Sequence, residues 1–192
     1  MFNIMLDPLP TDWEGFPIDT HFRIGIQMCQ VMDDRELTDM ERYGMVSNLF
    51  FPGIRPDVSG QREAIKWFLT AWNHDRNRKA KDTAREMDYD IDQWRIYSAF
   101  RNQYGIDLNT ADMHYWQFMG MLTTLDECAF TRVIDIRTKK TNPKMSQAEK
   151  KAIAEVKAVY ALEQREEKVS AEDKQKQQEA LRVFEEMRKA KP

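Results

Sequence analysis

The chain predicts an all-α fold: a single helical domain of about six helices, a short irregular or hairpin N-terminal arm, and a charged C-terminal helical extension. Three observations predict it. Apolar residues recur at three- and four-residue spacing in one segment after another. Only seven Gly and seven Pro occur among 192 residues, which suits long helices better than many tight turns. No set of alternating strands is found except in the N-terminal arm. With 42% hydrophobic, 11% aromatic and 32% charged residues, the composition is that of a globular protein with a heavily charged surface. The length suits one core with an appendage, and the boundaries expected are 1–142 for the core with its arm and 143–192 for the extension.

In residues 1–17, Pro8, Pro10 and Pro17, with Gly15 between Trp13 and Phe16, point to extended segments or a short hairpin. Asp19 or Thr20 then caps a helix through Met32, with Phe22, Ile26, Cys29 and Met32 at helical spacing. Thr38 followed by Glu41 forms a capping box that opens a second helix, whose apolar face is Tyr43, Val46, Leu49 and Phe50. Phe51-Pro52-Gly53 ends it. Ser59 caps a third helix lined by Ile65, Phe68, Leu69 and Trp72, with Trp67 beside that stripe. Residues 74–90 are highly charged and read as a solvated connection.

A fourth helix, about Asp90 to Tyr104, is expected to bury Ile91, Trp94, Tyr97, Ser98 and atoms on the Phe100 side, with Gly105 as its left-handed C-terminal residue. Asn109 or Thr110 begins a fifth, in which Met113, Tyr115, Trp116, Phe118, Met119, Met121 and Leu122 leave little polar face, making it the most enclosed. In a sixth, Leu125, Cys128, Ala129, Val133, Ile134 and Ile136 pack back on the fifth, and Arg137 closes it at the negative end of its dipole. After a break containing Pro143, Ser146 and Glu149 form another capping box for a helix reaching about Lys168, with Ile153, Val156, Tyr160 and Leu162 on a narrow stripe. Ser170 with Asp173 starts one more, whose large apolar residues are Leu181, Phe184 and Met187.

Net charge is −3, unevenly shared: residues 1–138 carry 15 Lys+Arg against 22 Asp+Glu, and 139–192 carry 14 against 10. An acidic body disfavours a nucleic-acid surface. Cys29 and Cys128 read as small buried hydrophobes of a reducing compartment, with a lone disulfide as the alternative. Asp7 and Pro8 interrupt MFNIML, so no leader pattern forms, and no apolar run approaches the ~18 residues of a membrane span. A cytosolic protein is expected.

Phosphate-cradling glycine loops, the HExxH helix, the GxSxG elbow and clustered Cys/His ligands are all missing from the sequence. The nearest approach to a catalytic or metal site is Asp107, Asp112 and His114 with Asp135 downstream. On a helix, Asp112 and His114 would diverge by about 200°, so His114 reads as a hydrogen-bonding residue between packed helices and Asp107 as a turn residue. Asp88, Asp90 and Asp92 alternate like a calcium loop but lack its Gly and terminal Glu, and read as an acidic helix start. Arg76, Arg78, Lys79, Lys81 and Arg85 read as a solvated run. No cofactor, metal or catalytic residue is expected. Trp94, Tyr104, His114, Trp116, Phe118 and Arg137 are the expected structural core. The candidates for partner binding are Leu181, Phe184 and Met187, together with Tyr160 and Trp67.

FRNQYGIDLN (100–109), MHYWQFMGML (113–122) and FTRVIDIR (130–137), with IDTHFR at 18–23, resemble a family of bacteriophage and prophage proteins named after a phage gene product fifteen, found in siphophages of Gram-positive bacteria. Tyr115 stands where the family's HWW-F-like helix has its first Trp, while Trp116 and Phe118 match. The resemblance implies a tail assembly chaperone, active without catalysis in the host bacterial cytoplasm, whose partners are the tape-measure and tail-tube proteins; the charged C-terminal extension leaves a homo-oligomer open as well. A structural head-tail connector or tail subunit retained in the virion is the alternative.

Overall fold

The computed structural model describes residues 2–70, 86–142 and 144–162. Within them the protein is all-α: α1 (Phe22–Asp33), α2 (Asp39–Phe50), α3 (Val58–Thr70), α4 (Gln93–Tyr104), α5 (Tyr115–Thr123), α6 (Ala129–Thr138) and α7 (Gln147–Tyr160). A two-stranded antiparallel hairpin, β1 (Asp12–Trp13) and β2 (Phe16–Pro17), pairs Trp13 with Phe16. Its two-residue turn puts Glu14 at φ 52° and Gly15 at φ 85°, the left-handed pair that matches the twist of a tight hairpin. The Asp12 carboxylate accepts the Gly15 N–H at 3.0 Å.

Two compact units are formed. The one built from residues 10–20 and 24–69 holds the hairpin, most of α1, α2 and most of α3. Its core is Ile18, Met28, Val46, Phe50, Phe51, Ala64, Ile65 and Phe68, all buried, and the Phe50 and Phe68 rings lie 4.8 Å apart. The Thr38/Glu41 capping box is in place, with the Glu41 carboxylate accepting the Thr38 N–H at 2.8 Å. Two expectations shift here. The deepest residue of α1 is Met28 rather than Cys29, and α3 starts one residue before Ser59, because Asp57 accepts the Gly60 N–H and serves as the cap.

The other unit holds residues 2–9, 21–23, 70, 86–142 and 144–162. In it α4 packs on α6 and α6 on α7. The expected boundary near residue 142 thus falls between two packed helices, tied by the Lys157 ammonium donating to the Lys139 carbonyl at 2.9 Å. The Ser146/Glu149 capping box opens α7, and the bonds from the Ser146 N–H and then its hydroxyl hold the Glu149 carboxyl below its ordinary range. The helix ends at Tyr160 rather than near Lys168. Its inward side is Lys150, Ile153, Lys157 and Tyr160, with Val156 exposed.

Further corrections concern α4 and α5. Trp94 is 71% and Ile91 55% exposed; the buried stripe is Asp92, Ile96, Ala99 and Phe100. Asp92 is wholly enclosed, and Trp94, two residues on, points about 200° away from it. Gly105 ends α4 at φ 70° as expected. Helix α5 begins at Tyr115, not at 109–110. Asp107 holds the chain in a turn, its carboxylate accepting the Asn109 N–H and its carbonyl the N–H of Thr110 and Ala111.

Candidate functional site

Helix α5 is apolar nearly all round, and the unit that holds residues 86–142 is arranged about it. Tyr115, Trp116, Phe118, Met119 and Leu122 are buried. Phe118 lies between two rings, 5.2 Å from Phe22 and 5.1 Å from Phe100, both stacked. Tyr104 adds an edge-on contact to Phe100 at 5.5 Å and donates its hydroxyl to the Met121 carbonyl at 2.9 Å. Each such ring pair is worth about 0.5–1.5 kcal/mol beyond area burial. The stack therefore fixes α5 against α4 and the start of α1.

Two imidazoles cap the helices that meet here. His114 Nδ1 accepts the Trp116 N–H at 3.0 Å, and Gln117 Oε1 accepts the His114 N–H at 3.2 Å. His21 Nδ1 accepts the Arg23 N–H at 3.2 Å in the same way at α1. The two histidines face each other across an isolated antiparallel bridge, beside which the Phe22 N–H donates to the Met113 carbonyl at 3.0 Å. Acceptance at Nδ1 requires a neutral ring with its proton on Nε2. His114 is thus a buried helix cap, set off the helix that sequence spacing assigned to it, and Asp112 stands outside, its side chain 99% exposed.

The ends of α4, α6 and α7 converge on one ion pair. Arg137 donates from both terminal nitrogens to the Asp92 carboxylate, at 2.6 and 3.2 Å, from its Nε to the Tyr160 carbonyl at 2.7 Å and from Nη1 to the Glu86 carbonyl at 3.1 Å. Their side chains are 6% and 0% exposed. Arg95, a second cation, adds a third bond to Asp92 at 2.8 Å, and Asp92 also accepts the Asp88 N–H at 3.1 Å. Asp88, Asp90 and Asp92 do lie at the start of α4, with Asp92 at its N-cap; Asp88 is buried and caps the preceding turn, accepting the N–H of Asp90 and Ile91.

On the open side of α5 lies an apolar groove of about 600 Å³. Its walls are chiefly Phe2, Ile4, Ile106, Met113, Trp116 and Met121, with Gly120 in the helix face. Phe2 packs edge-on against Trp116 at 5.1 Å. Sequence patterning passes over this part of the arm; the usable signal is the apolar run MFNIML itself.

Of the residues singled out from sequence, Tyr104, His114, Trp116, Phe118 and Arg137 gather in this unit, and Trp94 does not join its core. Trp67 is half-buried on α3 in the other unit. Tyr160 is half-buried, its carbonyl held by Arg137. Leu181, Phe184 and Met187 lie outside the described residues, as do Trp72, the basic run 76–85 and the helix start at Ser170. Cys29 and Cys128 are both half-buried and are not joined in a disulfide. Among the described residues, no group of three or more His, Cys, Asp or Glu is placed to hold a metal ion, and no helix is long and apolar enough to cross a membrane.

Fold and site together define an all-α protein organised about an aromatic helix with an open apolar groove beside it. The family model described as Bacteriophage Gp15 protein matches residues 5–162, and the chain belongs to that family. No curated protein and no solved structure matches it.

Proposed function

We propose that the protein is a phage tail assembly chaperone that acts in the host bacterial cytoplasm by binding, without a catalytic step, to the tape-measure protein and to tail-tube subunits. Membership of a bacteriophage family supports the phage setting. The observation that carries the binding reading is the apolar groove on α5, with Ile4 in its wall 54% exposed and Met5 and Leu6 of the same turn 84% and 80% exposed. An exposed apolar patch on a folded surface marks an interaction site, and another polypeptide is one of its ordinary occupants. A long coiled chain that exposes amphipathic stripes before its tube forms is the kind of client such a patch shields.

Co-expression tests the reading. The chain should raise the soluble yield of the tape-measure protein of the same phage; an unchanged yield counts against it. The protein should also be absent from purified particles by mass spectrometry, whereas stoichiometric presence would favour a retained connector or tail subunit.

A further inference from the structure

We propose that the groove between the N-terminal arm and α5 is the docking site for one face of an amphipathic partner helix, whose apolar stripe enters the groove and whose flanking Lys or Arg meets Asp112. The proposal rests on the chaperone reading and names the surface and the chemistry of the client.

Three features select this occupant. The polar groups of the groove do not converge on a small molecule: Thr124 already donates to the Gly120 and Met121 carbonyls at 2.9 and 3.2 Å, and Gln117 Oε1 accepts the His114 N–H. A small-molecule site needs several free polar groups aimed at one point. Among the described residues the ionisable group in the lining is Asp112 alone, its side chain 99% exposed and 3.8 Å from His21 Nε2, so the rim presents a carboxylate to a cationic partner. The arm adds further apolar surface near the groove, since Met5 and Leu6, in the same turn as its wall residue Ile4, are 84% and 80% exposed. Met113 and Met121 in the walls supply unbranched thioethers that adapt to differing side chains. Gly120 leaves the α5 face bare, since a Cβ built there meets nothing within 4 Å.

Gly120 supplies the test. Gly120→Leu adds a side chain in open space and a better helix former within α5, so it fills the groove without loosening the fold. The probe is a fluorescein-labelled helical peptide of about 18 residues, or five turns, with Leu at i, i+3, i+4 and i+7 and Lys flanking the stripe; controls are its scrambled form and a Glu-for-Lys form. Anisotropy titration should show saturable binding of the Lys peptide, weaker binding of both controls, and about a tenfold loss for Gly120→Leu and for Asp112→Lys, with melting of Gly120→Leu no lower than wild type. Equal binding by wild type and Gly120→Leu overturns the assignment. So does a homodimer that Gly120→Leu dissociates, because the occupant is then a second copy. In co-expression, a wild type and a Gly120→Leu variant that keep the tape-measure protein equally soluble overturn the groove assignment and leave the chaperone reading standing; a wild type that fails there while peptide binding stays groove-dependent sinks the chaperone reading alone.

Discussion

Replacing Arg137 by Met keeps the length of the side chain and removes the guanidinium that ties three helix ends together. Asp92 would keep its bonds from Arg95 and from the Asp88 N–H, at 2.8 and 3.1 Å, and lose both from Arg137, at 2.6 and 3.2 Å. The Glu86 and Tyr160 carbonyls would lose their donor as well. Taking one partner from a buried pair destabilises by about 3–5 kcal/mol, because a charge is left enclosed without compensation. The surviving Arg95 contact places the expected loss at the lower end, about 3 kcal/mol. For a chain of this size each kcal/mol moves Tm by about 2–4 °C, so Arg137→Met should melt about 6–12 °C lower by circular dichroism. Adding Asp92→Asn removes the orphaned charge, and the double variant should lose less than the sum of the two single ones. A loss under about 1 kcal/mol for Arg137→Met, the worth of a surface pair, would refute the claim that this pair locks α4, α6 and α7.

Further outcomes follow from the same geometry. Trp116→Ala should destabilise by about 3–5 kcal/mol, whereas Trp94→Ala should fall within about 0.5 kcal/mol of wild type; urea titration of both distinguishes a buried ring from an exposed one. His114→Ala should cost about 1 kcal/mol through the lost cap and His114→Asn only a part of that, and nitrogen-15 spectra of the wild type should show the ring protonated at Nε2. Glu149 is held below its ordinary value of 4.5 first by the Ser146 N–H and then by the Ser146 hydroxyl. A depressed carboxyl stabilises the folded state above its unfolded value and stops doing so as pH falls through the folded one. Amide exchange in the first turn of α7 should therefore speed up below about pH 4.5 in the wild type, beyond the change seen in Glu149→Gln; identical profiles would show that the box contributes nothing.

Much of the fold is legible because local rules and tertiary packing agree. Thr38 with Glu41 and Ser146 with Glu149 mark helix starts from spacing alone, and Gly105 marks an end because its left-handed backbone strains any residue bearing a Cβ. The start of α5 is illegible for a physical reason: Asn109 and Thr110 have the chemistry of a cap, but Asp107 claims the local N–H groups for a turn, and the cap falls to an imidazole, which cap preferences do not rank. The face of α4 is misplaced because hydrophobicity assigns Trp94 to the core, while the helix is rotated by a buried carboxylate, Asp92, whose partner lies 45 residues away in sequence. An ion pair of that separation leaves no periodic trace. The groove is hidden similarly, since Phe2 and Ile4 gain meaning only once the arm lies beside Trp116 and Met121.

The most direct test of the account is hydrogen–deuterium exchange of the protein alone and in complex with the tape-measure protein. Slowed exchange in the complex should concentrate in residues 2–6 and 113–124, where the apolar patch lies. Protection confined to α2 and α3, or no complex formed at all, would contradict it.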